Sequence, residues 1–222
     1  MEEKLSRIFS EAAAAMGIVL RERELSLFAT YYRELLTWNK KINLLSVKSG
    51  RDIVIKHFID SLTLLPYIGS ETCRVLDIGS GAGFPGIPLK IAVDPLKVSL
   101  LESSRKKSSF LKHVIRSLAL TDAVVIHNRA EFLMEDETYS GYFQIVTSRA
   151  TSKLPELLQM GAFFLAPSGF LIAMKGKISD QEQTEAAGIS HSLGLEHTGS
   201  HDLTLPITGG FRRIILYKKL SF

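Results

Sequence analysis

Apolar positions change their rhythm once along this chain. In the first third they recur at three- and four-residue spacing: Leu5, Ile8, Phe9 and Ala12, then Leu25, Phe28, Tyr32, Leu35 and Leu36, with Trp38 beside them. That period puts each set on one face of a helix. Gly17 is expected to end the first helix, because glycine turns out of a helix at least steric cost. A third helical stretch runs from Ile53 to Leu65 and stops before Pro66, which lacks the N–H that a helix interior needs.

From Cys73 onward short apolar runs alternate with longer amphipathic ones. Strands are expected at 74–78, 97–101, 123–127, 143–147 and 170–174, and helices at 104–120, 154–166 and 179–193. Residues 195–203 and 212–217 read as two closing strands, joined through Pro206 and Gly209-Gly210. Strand and helix in alternation imply an α/β fold with a mostly parallel, doubly wound sheet. Two final strands with no helix between them place an antiparallel pair at one edge. The change of pattern divides the chain into an N-terminal helical region, 1–70, and an α/β domain, 71–222.

Composition narrows the function classes. Hydrophobic residues make up 45% of the 222, enough for a sizeable core. The 27 basic and 23 acidic residues leave a net charge of +4, which permits a nucleic-acid partner without demanding one. The single cysteine, Cys73, excludes a disulfide within the chain and a cysteine-rich zinc site, so no metal is expected. With no signal-like apolar segment near Met1 and no run of the roughly 18 apolar residues a span requires, the expectation is a soluble cytoplasmic protein with no membrane partner. Nothing demands a dimer, and a monomer is expected.

The densest chemistry lies at the end of the first strand, in Asp77-Ile78-Gly79-Ser80-Gly81-Ala82-Gly83-Phe84-Pro85-Gly86. Gly79 and Gly81 would let the backbone turn tightly and approach a ligand closely. Glu102, after the second strand, would accept hydrogen bonds from ribose hydroxyls. A dinucleotide fingerprint wants glycine or alanine three residues after the second glycine. Phe84 stands there, and the spacing Asp77-x-Gly79-x-Gly81-x-Gly83 instead resembles the first motif of class I methyltransferases, which use S-adenosylmethionine.

In such a sheet the ligand sits at the carboxyl ends of the strands. Those ends carry the glycine loop, then Glu102-Ser103-Ser104 with Arg105-Lys106-Lys107, then Asn128-Arg129-Ala130-Glu131, Ser148-Arg149-Ala150 and Lys175-Gly176-Lys177. Ala130 and Glu131 would flank an adenine. Arg149 would face the site of methyl transfer and is the one catalytic candidate. Arg105, Lys106, Lys107, Arg149, Lys175 and Lys177 would meet RNA phosphates. Trp38, Asn39, Lys40, Lys41 and Asn43 would form a second wall of the cleft, with Trp38 in the core rather than under a base. His57 is read as a partly buried helix histidine, and it is the histidine to watch.

Absences matter as well. The Asn/Asp-Pro-Pro-aromatic motif that amino-group methyltransferases share after strand four is replaced by Thr147-Ser148-Arg149-Ala150. Ring-carbon methylation needs a cysteine nucleophile, and Cys73 precedes strand one. No carboxylate pair is placed for proton abstraction. Guanine N7, an unprotonated lone pair, is an acceptor needing neither cysteine nor base. A different RNA, protein or small-molecule acceptor, or an adenosine-cofactor binding module without transfer activity, fits the same sheet.

Three stretches, Trp38-Asn39-Lys40-Lys41-Ile42-Asn43-Leu44, His57-Phe58-Ile59-Asp60-Ser61 and the glycine loop with its Phe84-Pro85-Gly86-Ile87-Pro88-Leu89 extension, carry a resemblance over nearly the whole chain. Arg129-Ala130-Glu131, Ser148-Arg149-Ala150 and Lys175-Gly176 continue it. The chain resembles the bacterial ribosomal RNA small-subunit methyltransferase G family. The resemblance implies a Rossmann-like, mostly parallel seven-stranded methyltransferase domain with an N-terminal helical extension. It implies S-adenosylmethionine-dependent methylation of N7 of one guanine in small-subunit (16S) ribosomal RNA, the partner being that RNA or the ribosomal subunit. Cofactor contacts carried over by the match, together with the loop glycines, are Gly79, Gly81, Gly83, Phe84, Glu102, Ser103, Ser104, Ala130, Glu131 and Arg149. Asn128-Arg129 stands where many relatives have Gly-Arg or Ser-Arg.

Overall fold

The computed structural model describes residues 1–46, 49–69, 71–149 and 152–221. Helices α1 (Glu3–Ala14) and α2 (Glu22–Asn39) open the chain. The third helical stretch is composite. It runs through α3 (Gly50–Ile53), a π-helical turn (Val54–Ile59) and α4 (Asp60–Leu62), with the Asp60 N–H reaching back to the Ile55 carbonyl. The sequence pattern shows helix here, but not the widened turn.

Seven strands follow: β1 (Arg74–Ile78), β2 (Lys97–Leu101), β3 (Ala123–Ile126), β4 (Phe143–Arg149), β5 (Leu165–Lys175), β6 (Leu195–Thr204) and β7 (Phe211–Lys219). Between them lie α5 (Gly86–Ala92), α6 (Arg105–Ser117), α7 (Ala130–Leu133), α8 (Leu154–Phe164) and α9 (Asp180–Ser190). They form one sheet in the order β3-β2-β1-β4-β5-β7-β6. The first five strands are parallel, and β7 runs antiparallel to β5 and to β6. The antiparallel pair is where the pattern places it, with the later strand of the two inserted inward. Strand β5 begins five residues earlier than expected, because Leu165 is already extended (φ −73°, ψ 128°) and pairs with Phe143 before a bulge at the turn around Ser168.

Alternation along the strands builds two cores. Val75, Ile145, Ile172 and Ile214 face one side, against α5, α6 and the N-terminal helices; Leu76, Val146, Leu171 and Ile215 face the other, against α7, α8 and α9. The described residues before β1 therefore share one continuous core with half of the sheet. Its centre is aromatic: Phe9, Phe28, Tyr31, Phe58 and Phe84 pack with ring centroids 4.7–6.1 Å apart. Trp38 packs edge-on to Phe110 at 5.6 Å, tying α2 to α6.

Strand order reverses between β1 and β4, so the carboxyl ends of these two strands border a crevice, the usual ligand site of an open α/β sheet.

Candidate active site

The glycine loop leaves β1 at this crevice. Gly81 has φ +59° and a Cβ there would meet only the Gly79 carbonyl oxygen, at an ordinary 3.8 Å, so backbone conformation rather than crowding favours glycine there. Gly83 is different. A Cβ there would lie 2.5 Å from Ile87 Cδ1 and 2.8 Å from the Tyr31 hydroxyl, so this glycine lets α2 approach the loop. Glu102 holds the loop in place. Its Oε2 accepts the Gly81 N–H at 2.8 Å, its Oε1 accepts the Ser104 N–H at 2.7 Å, and the residue is only 6% exposed. Each oxygen keeps a second lone pair for a hydroxyl.

Beside the loop opens a cleft of about 410 Å³, within the range that holds nucleotide-sized ligands. Gly79, Ser103, Ala130 and Glu131 line it, together with Asn128 and Arg129. Sequence reading missed the opposite wall, Glu156, Gln159 and Met160 of α8. Their three- and four-residue spacing marks one helix face but carries no sign of what it faces. Gly81, Glu102 and Ser104 stand behind the lining. Ser104 caps α6, its hydroxyl accepting the Lys107 N–H.

Gly83, Phe84 and Arg149 lie elsewhere, in a second cluster against the N-terminal helices. Phe84 is 2% exposed, and its ring is covered on one side by the His57 imidazole (centroids 4.9 Å, 27°) and approached by the Arg149 guanidinium at 4.8 Å. Its side chain belongs to the aromatic core, not to the cleft. Arg149 Nη1 donates to the Lys56 carbonyl at 3.0 Å and to Asp60 Oδ2 at 3.1 Å, and Nη2 donates to His57 Nδ1 at 2.8 Å. Arg212 Nε donates to the other Asp60 oxygen at 2.7 Å. Asp60 is fully buried, so two arginines share one buried carboxylate. Burial, with Arg149 and Arg212 close by, lowers the His57 pKa to about 3, so the imidazole is neutral. Ala150 lies outside the described residues.

Beneath the loop sits Asp77, fully buried. Oδ2 accepts the Gly86 N–H at 2.9 Å, while Oδ1 has no partner among the described residues. Burial raises its pKa to about 7, against the opposing pull of the Gly86 N–H and the Arg149 charge. A backbone cradle held by the Glu102 carboxylate, whose oxygens can still accept, and a cleft of nucleotide size fit a compact cofactor with hydroxyls to donate.

The basic residues separate. Arg105, Lys106 and Lys177 are exposed and Lys107 is half-buried. Lys175 is not available to phosphate: its ammonium donates to the Ser152 carbonyl and to Glu182 Oε1, and its side chain is 11% exposed. Asn39 is committed too, its Oδ1 accepting the Leu44 and Leu45 N–H groups. Among the described residues no acid, histidine and cysteine group is placed to hold a metal, and no helix is long and apolar enough to cross a membrane.

The sheet order, the glycine loop after β1 and the cleft at the switch point define a class I S-adenosylmethionine-dependent methyltransferase. A solved structure of M. jannaschii TYW2 in complex with AdoMet matches with a TM-score of 0.54 at 16% identity, over 68% of this chain and 70% of that one, a likeness of fold. The family model for rRNA small subunit methyltransferase G matches residues 24–204. Ribosomal RNA small subunit methyltransferase G of Syntrophus aciditrophicus is 47% identical over 96% of this chain and 89% of its own length. That of Carboxydothermus hydrogenoformans is 39% identical over 100% and 92%. The chain belongs to the rRNA small subunit methyltransferase G family.

Proposed function

We propose that the cleft bounded by Gly79, Ser103, Ala130 and Glu131 holds the adenosine part of S-adenosylmethionine, and that the chain methylates N7 of one guanine in small-subunit ribosomal RNA. Family membership supplies the reaction, and one observation supports this cleft as its place: Glu102 fixes Gly81 while the loop borders a space of nucleotide size at the switch point. The cofactor supplies a sulfonium methyl, which the N7 lone pair takes with no proton to remove from the attacking atom.

The residues near the loop suit this chemistry. The one cysteine precedes β1, at the opposite edge of the sheet from the strand ends. His57 and Arg149 are bonded to each other, so neither is poised as a base. The site's task is then to orient nucleophile and methyl and to keep the loop still. Arg105, Lys106 and Lys177, exposed on the same edge, meet phosphates. Residues 1–70 serve as a helical extension of the methyltransferase domain, and the protein acts as a cytoplasmic monomer.

The test uses labelled S-adenosylmethionine with deproteinised small-subunit RNA and with intact small subunits, both from cells lacking this protein. Label in RNA that is cleaved by borohydride and aniline at one guanine is the expected result. Label without scission overturns N7 as the acceptor, and cofactor binding without label overturns RNA as the substrate.

A further inference from the structure

We infer that His57 is a specificity-determining residue, its Nε2–H donating to O6 of the guanine whose N7 receives the methyl, so that guanine is selected over adenine. The inference rests on the guanine-N7 reading above and adds how the base is chosen.

The tautomer is set by a neighbour. Arginine can only donate, so Nδ1, 2.8 Å from Arg149 Nη2, must accept, and a neutral imidazole then carries its one proton on Nε2. Among the described residues nothing takes that proton. The residue as a whole is only partly buried. The donor's orientation is fixed from three sides. The ring lies on Phe84 at the end of the glycine loop, Arg149 holds it from the end of β4, and Asp60 and the Lys56 carbonyl hold Arg149. The π-helical turn that contains Lys56 and His57 and leads into Asp60 aims all three at one guanidinium. His57 thus stands between the two structures that border the crevice.

Guanine presents two acceptors on its major-groove edge, N7 and O6, whereas adenine presents N7 beside a donor, N6–H₂. N7 alone does not distinguish them. One fixed N–H beside the N7 position meets an acceptor in guanine and a second donor in adenine. A site built to hydrogen-bond one group rejects the analogue lacking it, because the site's own donor is left unpaired. A neutral donor also adds no positive charge next to a sulfonium methyl and a cationic product.

The experiment replaces the methylated guanine in small-subunit RNA by 2-aminopurine, which keeps N7 and lacks O6, and measures single-turnover methylation of both RNAs. Intrinsic nucleophilicity of the two bases cancels when enzyme variants are compared. The wild-type preference for guanine should drop by about tenfold in His57→Ala, the size of one lost base contact. His57→Phe keeps the stack on Phe84 without the donor and should show the same drop. His57→Gln has a carbonyl to accept from Arg149 and an amide to donate, and should restore the preference. If folded His57→Ala or His57→Phe keeps the wild-type ratio, the assignment is overturned. If the wild type makes no N7-methyl product on guanine RNA, the underlying reading fails, and the assignment with it.

Discussion

The hydroxyl of Tyr31, on α2, donates to the carbonyl of Ala82 in the glycine loop. Both residues are buried, and burial pushes the Tyr31 pKa well above its ordinary value, so the phenol stays protonated and remains a donor. A helix from the N-terminal region thus fixes the backbone of the cofactor loop, fifty-one residues away in sequence. Tyr31→Phe removes the bond without changing the packing and leaves a buried carbonyl unpaired. It should lower stability by about 1–3 kcal/mol and weaken S-adenosylhomocysteine binding. Urea unfolding and titration calorimetry measure the two effects; unchanged cofactor affinity would confine Tyr31 to a packing role.

Glu102 organises the same loop from the other side. In Glu102→Gln one amide end faces a backbone N–H, either of Gly81 or of Ser104, donor against donor. Cofactor affinity should fall by about tenfold or more, the value of a charge-assisted bond. A dissociation constant within twofold of wild type would remove Glu102 from the loop's support.

Asp60 is the shared partner of Arg149 and Arg212. Asp60→Asn leaves two guanidinium groups facing each other without a counter-charge and should cost about 3–5 kcal/mol, as removal of one member of a buried pair does. The loss for Asp60→Asn combined with Arg149→Met should be smaller than the sum of the two single losses. Strict additivity in denaturant melts would show that the charges do not interact.

The buried acid and the buried histidine act oppositely on stability against pH. Asp77 has its pKa raised from 3.8 to about 7, so the folded state binds more protons than the unfolded chain between those values, and its contribution falls as pH rises through that window. His57 has its pKa lowered from 6.5 to about 3, so its contribution rises with pH up to 6.5. From about pH 4 to 6.5 the two slopes oppose each other. Asp77→Asn should make stability rise more steeply with pH there, and His57→Gln should make it fall. Parallel curves for wild type and both variants would contradict the burial assigned to these groups.

Basic residues at the strand ends should divide by what they already hold. Lys106→Ala with Lys107→Ala should weaken RNA binding and flatten its logarithmic salt dependence by about one unit per lost contact. Lys175→Met should leave that slope unchanged and lower the melting temperature, because its ammonium is committed to Ser152 and Glu182. A slope change in Lys175→Met would reverse this division.

Local pattern made most of the fold legible. Short apolar runs and apolar residues at period 3.6 locate β1 to β4, α6 and α8 to within a few residues and β5 except for its first five, and the glycine spacing marks the cofactor loop. Helix α5 was hidden because Gly86 and Pro88 stand in its first turn, where proline is tolerated but looks like a break. Roles set by distant partners were not legible. Phe84 sits in a motif that reads as a cofactor contact, yet its ring is claimed by Phe58, Tyr31 and His57. Arg149 reads as an open fork, and its acid lies 89 residues earlier. Charge pairing across that distance leaves no periodic trace, so a strand-end cation and a buried ion pair look the same in sequence.

The inward position of β7 has a consequence for the order in which the molecule is assembled. Strand β6 touches the sheet only through β7, so residues 195–204 leave the site of synthesis with no edge to join until residues 211–219 have followed. Arg212 arrives with that same strand, and until then Asp60 has only Arg149 for a counter-charge. A nascent chain that has made its cofactor loop, its cleft and its five parallel strands therefore still lacks what β7 adds to each core, Ile214 on one face and Ile215 with Tyr217 on the other, and the charge balance beside its glycine loop, and all of these arrive in a single late event.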